Sequence, residues 1–213
     1  MYAIANKQTS TTNNGTVKFQ FKHILSQVAF KAKTERNDID VAIKSIDIKN
    51  VKTSGTFTLP DNSETAAAQS NWTLGSAIAS FKAYNSENGL EINGANNANP
   101  TAIDPTNPLL IIPQTLTEWT IPSATSAADT AGESYLAIEC KIWQNDVLIV
   151  GSESAFTTIY VPFGATWQPG YRYIYTLVFG GGYNSNGEAI LTPIKIEAES
   201  TTDWVDTSSD ITL

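Results

Sequence analysis

The sequence is short of the residues that build reactive centres. One cysteine (Cys140), one histidine (His23) and one methionine (Met1) stand among 213 residues. A lone cysteine excludes an intramolecular disulfide framework and every multi-cysteine metal site. A lone histidine excludes multi-histidine zinc sites and leaves a catalytic triad a single base. Charge is sparse too. Charged residues make up 16%, and 13 basic against 21 acidic side chains give a formal net charge of −8. A surface of that sign repels a phosphate backbone, so nucleic acid is not expected as a partner, and neither is electrostatic attachment to anionic lipid. No apolar run reaches the roughly 18 residues of a membrane span. No signal-peptide core is seen, so an export signal is expected upstream of Met1. P-loop, GxGxxG, EF-hand and GxSxG patterns are all missing, and no cofactor is expected.

What is present is β composition. Hydrophobic residues reach 41% and aromatics 10%, enough for a sizeable core. The stretch Trp167–Phe179 organises the reading. Pro169-Gly170 is turn punctuation, and a run of aromatic and β-branched residues follows it. Tyr171, Tyr173, Tyr175, Leu177 and Phe179 share one face, with Ile174, Thr176 and Val178 on the other. Both faces are apolar, which predicts a central strand with Tyr173 and Ile174 largely buried. The Trp167 ring is expected over the end of the core.

Earlier in the chain, Val17, Phe19 and Phe21 alternate with Lys18, Gln20 and Lys22, a half-buried strand. Val28, Phe30 and Ala32 resume one step out of phase, which predicts a bulge or short turn at His23–Gln27. The same phase correction between Val41/Ile43 and Ile46/Ile48 predicts a bulge at Lys44–Ser45. Ser54-Gly55 turns into a short strand, and Pro60–Ser70 reads as a loop with a helical turn near Glu64–Gln69. Trp72, Leu74, Ile78 and Phe81 anchor weaker strands, and Asn85–Pro108, interrupted by Leu90-Glu91-Ile92, reads as an exposed excursion. Leu109–Ile112 is continuously apolar, predicting a strand buried on both faces and ended by Pro113. Leu136–Ile142 and Val147–Val150 flank Gln144-Asn145-Asp146 as a hairpin. Ala155–Phe163 and Ile190–Ala198 complete the strands. The chain is all-β. Residues 1–15 read as a linker or remnant of an upstream domain, residues 16–213 as the folded domain, with an internal boundary candidate near 123–133.

Chemistry is sought in vain. His23 sits at a strand junction with no paired nucleophile, and Cys140 lies on an apolar strand face, where a thiol behaves as a small hydrophobe. The carboxylate pairs Glu197/Glu199 and Asp203/Asp206 have a spacing that polar alternation supplies unaided. Asp61–Glu64 contains oxygen ligands for calcium, but nothing there specifies a metal. The five tryptophans, Trp72, Trp119, Trp143, Trp167 and Trp204, are scattered, and tryptophan more often anchors a core than a sugar platform.

Four stretches in order resemble the fimbrillin family, the exported pilin and adhesin subunits of Bacteroidetes. They are Val17–Phe30 with its Phe-x-His-x-Leu-Ser core, Ile46–Gly55, Leu110-Ile111-Ile112-Pro113-Gln114, and Trp167–Phe179 with its Trp-x-Pro-Gly-x-x-Tyr-x-Tyr pattern. The resemblance covers residues from about 16 to the C-terminus. It implies an antiparallel β-sandwich of transthyretin-like, Greek-key pilin architecture, lipoprotein export to the outer membrane, and assembly into surface fimbriae. In that family a protease removes an N-terminal strand, and a neighbour's extended strand fills the groove, a β-augmentation mode. A lipobox cysteine and much of the family's N-terminal domain are expected upstream of this chain.

The sequence therefore reads as a non-enzymatic fimbrial subunit or adhesin. Its partners are then other fimbrial subunits and a host or bacterial surface glycan or protein. The alternatives are a carbohydrate-binding module with a planar Trp/Tyr patch, and a hydrolase whose cleft gathers His23 or a carboxylate pair. The tail after Trp204 spaces Val205, Ile211 and Leu213 among Thr, Ser and Asp, too polar for a core. These three are the subunit-contact candidates, on a strand that joins a neighbour or fills this chain's own edge.

Overall fold

The computed structural model describes residues 1–9, 16–62, 65–104, 106–120, 132–180, 188, 194–203 and 207–212, with the backbone alone over 198–203 and 207–212. The first two strands show how local sequence sets the layout. β1 (Thr16–Phe21) and β2 (Ser26–Thr34) are separated by residues 22–25 and lie in different sheets. The expected irregularity at His23–Gln27 is thus a short connection. Along β2, strict alternation buries Val28, Phe30, Ala32 and Thr34.

β3 (Ile39–Lys52) carries the long apolar face of the first layer. It pairs with β10 (Glu133–Gln144), and Glu139 opposes Ser45 while Cys140 opposes Ile43, so Lys44 is the extra residue of a bulge. This is the phase correction read in the sequence. On its other side β3 pairs with β6 (Ile78–Ile92), reached through the small hairpin of β4 (Gly55–Phe57) and β5 (Trp72–Leu74). β6 corrects the expectation of an exposed excursion from Asn85: Asn85, Leu90, Glu91 and Ile92 pair with Ser45, Ile43, Ala42 and Val41. The polar, Gly-containing run lacks strand propensity, but a ladder against β3 supplies its backbone bonds and buries Ile92. The expected helical turn is a 3-10 turn at Gln69–Asn71; Glu64 lies outside the described residues.

β7 (Thr101–Ile103) and β8 (Leu109–Ile111) both pair with β2. β8 is not buried on both faces as its composition predicts: Ile111 is 1% exposed but Leu110 is 49%. Among the described residues it pairs with β2 alone, and the exposure of Leu110 marks the face that is left uncovered. β9 (Thr115–Glu118) starts the return to the first sheet, where it pairs parallel with the beginning of β10. Residues 121–131, most of the boundary candidate, lie outside the described residues. The strands on either side of them share one sheet.

β10 and β11 (Val147–Val150) form the expected hairpin, with Asn145 and Asp146 at φ 49° and 61°. Both central residues are left-handed, as a type I′ turn requires, and Asn and Asp tolerate that region best after Gly. β12 (Thr157–Pro162) continues along the same edge of β10, and β13 (Ala165–Thr166) pairs with β9. β14 (Tyr171–Phe179) is a central strand, flanked by β2 and by β15 (Lys195–Asp203). Its pairing with β2 is parallel, so the sandwich mixes parallel with antiparallel contacts. Tyr175 through Phe179 are buried, whereas Tyr173 and Ile174 are only half-buried. The two faces close over the second half of the strand, while the first half runs out toward the Pro169-Gly170 turn. The last expected strand is displaced from Ile190–Ala198 to Lys195–Asp203; residues 189–193 lie outside the described residues, as do 181–187 of the glycine-rich loop.

One core joins the layers. Val41, Ile43, Ile46, Ile48, Leu136, Ile138 and Ile142 from the first sheet meet Val28, Phe30, Tyr175, Leu177 and Phe179 from the second. Trp167 is fully buried at its end, its Nε1 donating to Tyr175 Oη at 3.0 Å, with Phe163 edge-on to Tyr175 at 5.0 Å. The expectation for Trp167 holds.

Candidate functional site

The chain ends meet. β16 (Thr207–Thr212) pairs antiparallel with β1 in a two-stranded ribbon separate from both layers. The register sets Ile211 opposite Val17, Ser209 opposite Phe19 and Thr207 opposite Phe21. Val17 is buried, and Phe19 and Phe21 are half-buried with their rings 6.4 Å apart. Of the three subunit-contact candidates, Ile211 thus stands within the ribbon, while Val205 and Leu213 lie outside the described residues.

The N-terminus is fastened beside this ribbon. Tyr2 forms an antiparallel bridge with Lys22, and its ring stacks 5.6 Å from Phe57, which lies 5.3 Å from Trp72. The Trp72 Nε1 donates to the Ile24 carbonyl at 2.9 Å. The connection after β1 is therefore held from two sides. On a third, Ser26 Oγ donates to the Gln168 carbonyl and the Gly170 amide donates to the Leu25 carbonyl. Gly170 has φ 78°, so the Trp-x-Pro-Gly stretch needs glycine for this approach.

The other singled-out residues scatter. His23 is half-buried in the connection, its carbonyl facing Gly170. Cys140 is fully buried under both layers, and loss of water there pushes its thiol well above the ordinary range. Glu197 pairs with Lys33 at 2.9 Å across β15, β14 and β2. The side chains of Glu199 and Asp203, and all of Asp206, lie outside the described residues, as does Glu64. Trp119 and Trp167 are buried, Trp72 and Trp143 are half-buried in different places, and Trp204 lies outside the described residues. The described tryptophans form no platform.

A residue the sequence named only as part of a motif turns out to be a clamp. Gln114, 1% exposed, accepts from the Lys52 amide at 2.9 Å and donates to the Lys52 and Ile112 carbonyls at 3.1 and 3.0 Å. Its own carbonyl accepts from the Trp167 amide at 2.9 Å. One buried amide side chain thus ties the end of β3 to the exit of β8 beside Trp167. In the sequence Pro113 marks only the end of β8, and no signal there marks Gln114 as buried.

Among the described residues no helix is long and apolar enough to cross a membrane, and no group of three or more acidic, His or Cys side chains is placed to hold a metal. No curated protein matches the chain. Among solved structures it is similar to a fimbrial protein from Bacteroides vulgatus ATCC 8482, at 18% identity and a TM-score of 0.52 over 93% of this chain and 60% of that one. A putative cell adhesion protein from Parabacteroides distasonis ATCC 8503 is similar at 13% identity and a TM-score of 0.48, over 86% of this chain and 52% of that one. The chain thus spans little more than half the length of these relatives. The first of them shares its fold. A family model described as fimbrillin-like matches residues 1–204, and the chain belongs to the fimbrillin-like family.

Proposed function

We propose that this chain is part of a fimbrial subunit or adhesin whose copies join by strand addition, the C-terminal strand of one copy taking the place of its neighbour's own beside β1. The observation that carries this reading is the β1–β16 ribbon. A two-stranded ribbon is marginally stable in water, so its pairing transfers to a second copy at little cost. The backbone bonds exchanged are the same within and between chains, and alternate side chains supply fit. Ile211 lies on that strand, and Val205 and Leu213, which flank it in the sequence, are the further contacts this reading assigns. The reading places the protein at the cell surface, exported as an outer-membrane lipoprotein, with other fimbrial subunits as partners.

Cysteine pairing tests it. Opposed residues of an antiparallel pair lie about 4.5–5.5 Å apart at Cα, within the disulfide window of roughly 4.4–6.8 Å. Val17→Cys and Ile211→Cys chains, prepared separately, mixed and oxidised, should yield a disulfide-linked heterodimer. The buried Cys140 does not compete. If only unlinked monomers form under conditions where the Val17→Cys/Ile211→Cys double variant closes within one chain, the strand does not exchange.

A further inference from the structure

The outer face of the first sheet holds a polar trough of about 610 Å³. We propose that it binds a neutral saccharide. The site does not depend on polymer assembly, and a single copy contains all of it.

Register builds the trough. Tyr160, Ala137, Asp47 and Lys82 line up across β12, β10, β3 and β6, and Thr158, Glu139 and Ser45 form the next row. The middle of a sheet's outer face is ordinarily covered by long side chains; here its floor is Ala137 and Ser45, 7% and 3% exposed. Two irregularities of β3 bracket this stretch: the Lys44 bulge, and a shift between Ile48 and Val51 where Asn50 takes φ 61°. Bulges bend a strand and re-aim its side chains, and they recur beside binding sites. The volume falls in the range of roughly 300–1,000 Å³ found for small-ligand clefts.

The lining matches one ligand chemistry. Two carboxylates and two ammonium groups face the space: Asp47 takes Lys49 Nζ at 3.2 Å and Lys82 Nζ at 3.8 Å, while Glu139 takes Ser45 Oγ at 3.1 Å and a third ammonium, Lys44, at 3.5 Å. Within the lining itself the two carboxylates are balanced by the two ammonium groups, Lys49 and Lys82, and each carboxylate is already paired with a lysine, so the space offers neither a bare cation nor a phosphate a concentrated opposite charge. What remains is an alternation of strong acceptors and donors, suited to a ligand whose hydroxyls are both. The apolar complement stands at one end. Tyr135 and Tyr160 meet edge-on at 5.8 Å, backed by Trp119 at 5.7 and 6.5 Å. Tyr135 is buried and braces the half-buried Tyr160, whose ring offers a flat apolar face with a polar tip, which fits a sugar's C–H face beside its hydroxyls. The Trp119 indole, 2% exposed, has no hydrogen-bond partner on Nε1 among the described residues. A buried unpartnered donor is costly and uncommon, and here it stands beside the trough.

The intact chain, fluorescently labelled, would be applied to an array of neutral, sialylated and sulfated oligosaccharides, and its best neutral binder titrated by calorimetry. The expected result is binding to neutral members, weakened at least tenfold by Asp47→Asn and by Tyr160→Ala. Ser80→Trp, at an exposed position lining the trough, should block it by filling the space. Urea melts of each variant establish that the fold is kept. The proposal is overturned if no saccharide binds, if sulfated or sialylated members are preferred, or if folded Asp47→Asn and Ser80→Trp chains bind as wild type does. Because the strand-exchange cross-link involves neither Asp47 nor Ser80, its failure and the failure of this site are separable.

Discussion

Replacing Gln114 by Met keeps the side chain's length and removes every polar atom. Three backbone groups then lose their partner: the Lys52 amide and the Lys52 and Ile112 carbonyls. A buried group left unsatisfied costs about 1–3 kcal/mol. Lys52 and Ile112 are only half-buried, so water reaches part of what is lost and the lower half of that range applies. Over the three groups the expected loss is about 3–6 kcal/mol, or about 6–24 °C in Tm for a chain of this size. Urea unfolding followed by tryptophan fluorescence measures it, and an unchanged slope would show that both states keep their compactness. Gln114→Glu sharpens the test, because the acceptor for Lys52 remains while a carboxylate is set against two carbonyls. Burial and that repulsion raise the introduced carboxyl's folded-state pKa above its unfolded value, so stability is retained below the unfolded pKa and lost as pH rises through the folded one. The Glu variant should therefore approach wild type near pH 4 and fall away toward neutrality. A shift under about 0.5 kcal/mol for Gln114→Met, the range of ordinary surface changes, would refute the clamp.

The Tyr175 phenol is pushed up to about 12, first by burial, against the opposing hydrogen bond from Trp167. Its folded pKa exceeds the unfolded value near 10, so stability should hold below about pH 10 and decline toward pH 12. Urea midpoints across that interval check this, and Tyr175→Phe should flatten the decline. Cys140 should resist a thiol reagent in the folded protein and react after denaturation; rapid native labelling would contradict its burial. Asn145→Val should cost roughly 1–3 kcal/mol, since a β-branched residue is strained at φ 49°. A thermal melt that does not move would show that the hairpin turn relaxes.

Alternation made part of this fold legible. β2, the Lys44 bulge of β3 and the β10–β11 hairpin were all readable because each has one buried face, and an apolar period shows it. The second half of β6 was not, since its Asn, Ser and Gly residues carry no period and its pairing comes from β3, some forty residues away along the chain. Composition also misled at Leu109–Ile112, where an apolar run sits at the edge of its sheet with Leu110 exposed. The parallel contact of β14 with β2 leaves no mark in either strand, because direction is decided by the connections between them. The trough lies further out of reach. Asp47, Lys82, Ala137 and Tyr160 come from four strands and look like ordinary outward-facing residues until the register puts them in a row.

The two proposed activities draw on opposite ends of the molecule's stability. Trough-floor residues alternate along β3 and β10 with Ile46, Leu136 and Ile138, which are fully buried in the shared core. Moving the floor therefore means disturbing the best-packed strands, and a site held that firmly spends little ordering entropy when a ligand arrives. The ribbon is built the other way. β1 contributes no side chain to the shared core cluster, and even the buried Val17 lies outside it. Releasing β16 breaks one ladder and leaves the layers packed. A strand that must leave its own chain to join another belongs where its departure is cheap, and local opening is easiest where few apolar contacts oppose it. On the proposed reading the tail's composition, Thr, Ser and Asp punctuated by Val205, Ile211 and Leu213, would keep a released strand solvated until it meets a neighbour.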